Sequence, residues 1–154
     1  MKIINSTGKN VMTDKMFIDS NIWVYLFSDN KNHKAKVAEK FIADNSISSV
    51  FVTSCQVVNE VCNVLKRHGL AEERIRVVIE SITNICLMQD LSKEICLLAS
   101  TLRERYSFSF WDSVIVASAK TAGCGLLISE DMHDGLAVDR LKIKNIFSPD
   151  SNEG

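Results

Sequence analysis

One alternation constrains this chain more than any other feature. Short runs that are almost wholly apolar are each followed by a stretch with helical spacing. The apolar runs are Met16-Phe17-Ile18, Val50-Phe51-Val52, Ile85 to Met88 and Gly125 to Ser129, with Ile143 to Phe147 as a fifth candidate. A strand wetted on one face alternates polar and apolar residues, whereas one covered on both faces does not. The intervening stretches predict helices over Asn21–Phe27, Lys36–Ala43, Gln56–Arg67, Glu72–Thr83, Leu91–Glu104 and Trp111–Thr121. Thr53 or Ser54 would cap the third, and His68-Gly69 would end it. Inward positions are expected at Trp23, Val24 and Phe27, then at Val37, Phe41 and Ile42. Strands alternating with helices imply an α/β fold with a short central parallel sheet flanked by helices.

A length of 154 residues fits one domain. Its boundaries are expected at 16–147, with a polar leader over 1–15 and a polar tail over 148–154. The first residues, MKIINSTGKNVMTDK, do not read as a signal peptide, and no apolar run approaches the ~18 residues that span a bilayer. Five cysteines, at 55, 62, 86, 96 and 124, form no C-x-x-C pair. They read as buried small hydrophobes in a reducing cytoplasm rather than as a disulfide or zinc framework. The net charge of −1 does not advertise a nucleic-acid binder. If cations neutralise four of the 19 acids, however, 15 remain against 18 Lys and Arg, and the rest of the surface is net +3.

In an open parallel sheet, ligands bind beyond the carboxyl ends of the strands. Asp19 follows the strand Met16–Ile18, and Glu130 and Asp131 follow Leu126–Ile128. Glu60 lies at the border of the apolar stripe Val57, Val61, Val64 and Leu65 on its helix, about one turn from the same edge. Asp112 shares a helix face with Ile115, Val116 and Ala119. Each acid has a structural explanation of its own. Asp19 suits a helix cap, Glu60 a border position reaching to water, Asp112 a capping box with Ser109, and Glu130-Asp131 a solvated loop. Taken together they form a set able to converge. Clustered carboxylates raise one another's pKa unless cations neutralise them, and hard oxygen donors select Mg²⁺ or Mn²⁺. Only His133 lies near any of them, so the donor set is not one for zinc.

Four segments carry a more specific resemblance. They are Phe17–Tyr25 (FIDSNIWVY), Val58–Val61 (VNEV), Trp111–Ala119 (WDSVIVASA) and Leu126–Met132 (LLISEDM). In this order they resemble the motifs of PIN-domain nucleases, over roughly Met16 to Phe147, and the single short domain resembles VapC toxins. The resemblance implies a PIN-like α/β fold, Mg²⁺- or Mn²⁺-dependent cleavage of RNA, homodimers, and restraint by a small cognate antitoxin. It makes Asp19, Glu60, Asp112 and Asp131 the catalytic and metal-binding acids, with Asn21 and Ser129 in support and Asp134 as an auxiliary acid. The leader is longer than such toxins usually carry, and Glu130 adds an acid that competes with Asp131 for the role.

For a substrate backbone, candidate cations are Lys31, Lys34, Lys36, Lys66, Arg67, Arg103 and Arg105, although such runs are more often solvated faces. Trp111, Phe108 and Phe110 are able to stack on bases or to serve core and dimer packing. His33, His68 and His133 are expected at the surface. An aspartate-nucleophile phosphatase needs a second Asp two residues after the first, and Asn21 stands there. The remaining alternative is a PIN-fold module that binds protein without catalysis. An antitoxin would suit the acids by presenting an arginine to them and a helix to an apolar groove.

Overall fold

A computed structural model describes residues 2–4, 10–12 and 14–149. Residues 1, 5–9 and 13 of the expected leader and 150–154 of the expected tail lie outside the described residues. Two short strands, β1 (Lys2–Ile4) and β2 (Asn10–Met12), pair antiparallel in a small sheet of their own. The main sheet has six strands: β3 (Asp14–Ile18), β4 (Ser49–Ser54), β5 (Cys86–Gln89), β6 (Leu126–Ile128), β7 (Ala137–Val138) and β8 (Leu141–Lys144). Their order is β5-β4-β3-β6-β8-β7, parallel throughout except for β7, which runs antiparallel to β8. Six helices connect them: α1 (Ser20–Phe27), α2 (His33–Asn45), α3 (Cys55–Arg67), α4 (Glu72–Ile85), α5 (Lys93–Arg105) and α6 (Phe110–Thr121).

The expected α/β architecture is present, and the burial pattern gives its cause. Consecutive residues Phe17 and Ile18 in β3, and Leu127 and Ile128 in β6, are fully buried, so both faces of the central strands are covered. Strand β8, next to the edge, reverts to alternation, with Leu141 and Ile143 inside and Lys142 and Lys144 outside. Helix α1 packs on α2 and α3, α3 on α4, and α5 on α6.

Several elements depart from the expected bounds. Strand β3 begins at Asp14 rather than Met16, pairing with β4 from its first residue. Helix α2 begins at His33, before the expected Lys36, because the Asn32 side chain caps it by accepting the Ala35 N–H at 3.0 Å. Its deepest residues are then Ala35 and Ala38, while Val37, Phe41 and Ile42 are half-buried. In α1 the buried pair is Ile22 and Trp23, and Val24 and Phe27 are half-buried. Ser54 is the cap of α3, accepting the Val57 N–H. Of the cysteines, all free, Cys86 and Cys124 are buried as expected, and burial pushes both thiols up to about 12. Cys62 is half-buried, but Cys55 and Cys96 are exposed. Cys96 follows the buried Ile95 and lies about 100° round α5 from it, on the exposed flank of the stripe Ile95, Ala99 and Leu102.

The strand order matters most for function. From β3 the chain moves to β4 and β5 on one side, then returns through β6 to the other. The sheet therefore reverses direction between β3 and β6, the position at which the carboxyl ends of parallel strands leave a crevice.

Candidate active site

Asp19 stands at that reversal. Its backbone N–H donates to the carbonyl of Ile128 at 3.0 Å, joining the end of β3 to the end of β6. It is also the N-cap of α1, and its carboxylate accepts the N–H of Ser20, the next residue, at 2.7 Å. The other carboxylate oxygen accepts the hydroxyl of Ser129, a buried side chain at the end of β6, at 2.7 Å. Asp19 is thus a cap and more than a cap. It is only 4% exposed, and nothing cationic pairs with it among the described residues. Its pKa is raised from 3.8 to about 6, chiefly because burial strips water from the carboxylate, and further by the charges of Glu60 and Asp112. The hydrogen bonds from Ser129 and Ser20 work the other way without prevailing.

Glu60 sits half-buried in the second turn of α3, slightly deeper into the helix than expected, and accepts the Gln56 amide at 3.1 Å. Asp112 lies in the first turn of α6, where the Ser109 hydroxyl oxygen accepts its N–H at 3.2 Å. That bond is the helix-capping interaction expected from the sequence. Half-burial raises the pKa of Asp112, the Ser109 side chain lowers it, and the charge of Asp131 raises it. A chain of repulsion therefore runs from Glu60 and Asp112 onto Asp19, and from Asp131 onto Asp112. All four predicted acids belong to it.

Asp131 is exposed on the loop after β6. Asn21, in the first turn of α1, donates its amide to the Asp131 carboxylate at 3.1 Å, and its amide oxygen accepts the Glu130 N–H at 3.4 Å. One asparagine thus fastens the β6 loop to α1. Glu130 turns elsewhere: it accepts the Tyr25 hydroxyl at 2.7 Å and is in contact with the Lys34 ammonium. Lys34 also lies over the rings of Tyr25 and Phe147, at 5.4 and 5.7 Å. Asp134 has both carboxylate oxygens engaged, with the Asn145 N–H at 2.9 Å and the Ser148 hydroxyl at 3.1 Å, and none of the repulsions above involves it. It ties the loop before β7 to the segment after β8.

Sequence reasoning missed Gln56, Tyr25 and the pairing of Lys34 with Glu130. A contact between residues 34 and 130 leaves no periodicity to read. For Gln56 the four-residue spacing to Glu60 was the available sign.

The donors are all oxygen, which suits a hard divalent cation. Among the described residues, no group of three or more His, Cys, Asp or Glu is placed to hold a metal ion as the side chains stand. Mg²⁺ does not require one. It is commonly held by one or two carboxylates, retains water, and takes the remaining ligands from substrate phosphate. The residues fit an open, water-rich site of that kind, and not a closed structural one.

Residues 16–134 match the model of the PIN domain family, well over half of the chain. The chain belongs to the PIN domain family. No curated protein matches it. Solved structures extend the likeness in fold. A toxin–antitoxin complex from Klebsiella pneumoniae superposes with a TM-score of 0.63 at 19% identity, covering 82% of this chain and 94% of that one. VapC20 of Mycobacterium tuberculosis, a toxin that cleaves the sarcin–ricin loop, gives 0.62 at 17% identity, over 73% of this chain and 86% of that one. VapBC2 from Rickettsia felis, bound to a promoter DNA fragment, gives 0.62 at 15% identity, over 85% and 98%. The matched PIN segment begins at Met16 and includes all four acids.

Proposed function

We propose that this PIN domain is a Mg²⁺- or Mn²⁺-dependent endoribonuclease and the toxin of a type II toxin–antitoxin pair. It would act in the cytoplasm as a homodimer restrained by a small cognate antitoxin. The observation that carries the reading is Asp19. A carboxylate this deeply buried, beside other acids and without a cation, is costly to keep charged. Its arrangement is sensible if a cation completes it. The fold likeness to toxins, one of which cleaves an RNA loop, supports the choice of substrate.

In this reading Asp19 and Asp112 are the primary metal ligands, and Glu60 and Asp131 complete the site directly or through water. A divalent ion held by these residues would supply a water of lowered pKa and stabilise charge on the phosphoryl oxygens. The chain's own residues fix the geometry. Ser129 and the Ser20 N–H hold the Asp19 carboxylate in one orientation. Asn21 holds Asp131 against α1. Gln56 holds Glu60 while reaching toward the Trp111 carbonyl at 3.5 Å, and so links α3 to the start of α6. Glu130, neutralised by Lys34, is left out of the metal shell.

Cleavage of RNA by the wild-type chain with Mn²⁺ or Mg²⁺, abolished in Asp19→Asn and Asp112→Asn, is the expected result. Undiminished cleavage by clean Asp19→Asn protein would falsify the assignment. The lack of a closed acidic cage favours one rival, a PIN-fold module that binds protein without catalysis. A chain that folds but shows no saturable Mn²⁺ binding would establish that rival.

A further inference from the structure

A cleft of about 450 Å³ opens beside the acids, with Asp112 and Asp131 in its wall. The last residue of α5, Arg105, and the connector to α6, with Tyr106 and Phe108, contribute to its lining, and the loop after β6 supplies Met132, His133 and Leu136. Its volume lies in the range of small-ligand pockets. Its lining combines two carboxylates, a guanidinium, an imidazole, and aromatic and apolar side chains.

Four of the seven candidate cations are already engaged. Lys34 is paired with Glu130 and Lys66 with Glu72. Lys31 donates to the carbonyl of Leu26, and Arg103 donates to Ser113 while lying 4.3 Å from the Phe110 ring. Arg105 is exposed and forms no ion pair among the described residues, although its charge is felt by Asp139. It lines the cleft together with two of the site acids, Asp112 and Asp131. The Tyr106 and Phe108 rings stand 5.6 Å apart, tilted 38°, and both are half-buried, so their positions are fixed by packing.

We propose that this cleft holds one nucleotide of the RNA, next to the phosphate that is cut. The base lies against Phe108 and the apolar surface of Met132 and Leu136. The adjoining backbone phosphate is met by Arg105 and His133, and the reacting phosphate falls at Asp112 and Asp131. Base preference at this one position is then set by the connector between α5 and α6. The proposal rests on the nuclease reading above, and its test separates the two.

The probes are the 5′-monophosphates of adenosine, cytidine, guanosine and uridine, titrated with Mg²⁺ into the ¹⁵N-labelled full chain. Saturable amide shifts are expected in 105–112 and 131–136, with unequal affinity among the four bases. Phe108→Leu keeps an apolar side chain but removes the ring, and should weaken binding at least about fivefold, the lower end of what one base–aromatic stack contributes. Arg105→Gln changes an exposed residue and carries the test alone if Phe108→Leu does not fold. In RNA cleavage both variants should raise KM more than they lower kcat. Shifts that are absent, lie elsewhere, or survive equally in both variants overturn the proposal. So do shifts produced by N-acetyl-arginine amide with the nucleotides silent, which would mark a pocket for a partner protein's arginine. Asp19→Asn distinguishes the failures: cleavage that persists there removes the catalytic assignment, whereas the cleft is judged by its own shifts.

Discussion

Replacing Asp19 with Asn should stabilise the metal-free protein at neutral pH. The folded-state pKa of Asp19 is about 6 against 3.8 in a free side chain. Each pKa unit corresponds to ~1.4 kcal/mol, so keeping this carboxylate ionised in the folded chain at pH 7 costs about 3 kcal/mol. The sign follows from proton binding. Between pH 3.8 and about 6 the folded state holds the proton that the unfolded state has lost. Stability therefore falls as pH rises through that window and levels off above it. Asn removes the ionisation but also weakens the two hydrogen bonds that a carboxylate accepts best, so a net gain of roughly 1–3 kcal/mol is expected. For a chain of this length that is a rise in Tm of roughly 3–10 °C. The assay is thermal melting of wild type and Asp19→Asn in EDTA, from pH 4 to 8. The difference should be largest above pH 6 and should close toward pH 4. Saturating Mn²⁺ should then raise the wild type, by ~2.7 kcal/mol at a hundredfold excess over Kd, and leave the variant nearly unmoved. A variant that melts no higher than wild type in EDTA at pH 7, or with the same pH profile, would refute the claim that Asp19 is held in an uncompensated state.

Ser129→Ala removes the buried hydroxyl that donates to Asp19, so the Asp19 pKa should rise further and Mn²⁺ affinity should fall most below pH 7; calorimetric titration at two pH values checks this. Glu130→Gln should leave the Mn²⁺ Kd unchanged within a factor of two, since Glu130 is engaged by Tyr25 and Lys34, whereas Asp131→Asn should weaken it; equal losses would return Glu130 to the metal shell. Trp111→Ala should shift the melting free energy by less than ~0.5 kcal/mol, because Trp111 is 61% exposed, while loosening the grip on single-stranded RNA; a large loss of stability would assign the ring to packing instead.

The sheet was legible because strands covered on both faces must be apolar throughout, and Phe17-Ile18 and Leu127-Ile128 have no other economical use. The four acids were legible as a set, but their environment was not. Sequence placed Asp19 and Asp131 at strand ends without distinguishing a carboxylate that is 4% exposed from one in open solvent. That difference comes from Ser129 and the neighbouring strand closing over Asp19. The start of α2 was missed although Asn32 is a good cap, because the run of basic and polar residues around it outweighed a single capping side chain. Strand β7 was missed because two residues carry no periodicity. Its turn into β8 depends on Asp139 at φ +55°, a conformation that Asp tolerates better than most residues. Asp134, expected as an auxiliary acid, also makes two loop-tying hydrogen bonds that no sequence pattern announces.

The site's instability and its proposed chemistry have one origin. A parallel sheet that reverses between β3 and β6 brings Asp19 and Ser129 together at its carboxyl edge, while α3 and α6 supply Glu60 and Asp112 from the sides. Among the described residues, no cation of the chain is paired with these acids; Lys34 is paired with Glu130 instead. On the proposed reading, an incoming divalent ion would relieve the repulsion among these carboxylates. A small domain has only ~5–15 kcal/mol of net stability, so a penalty near 3 kcal/mol at Asp19 alone is tolerable only because the core on both faces of the sheet is extensive. A lysine placed among these acids would stabilise the empty fold and abolish the site. That trade makes the uncompensated Asp19 a sign of function rather than of imperfect packing.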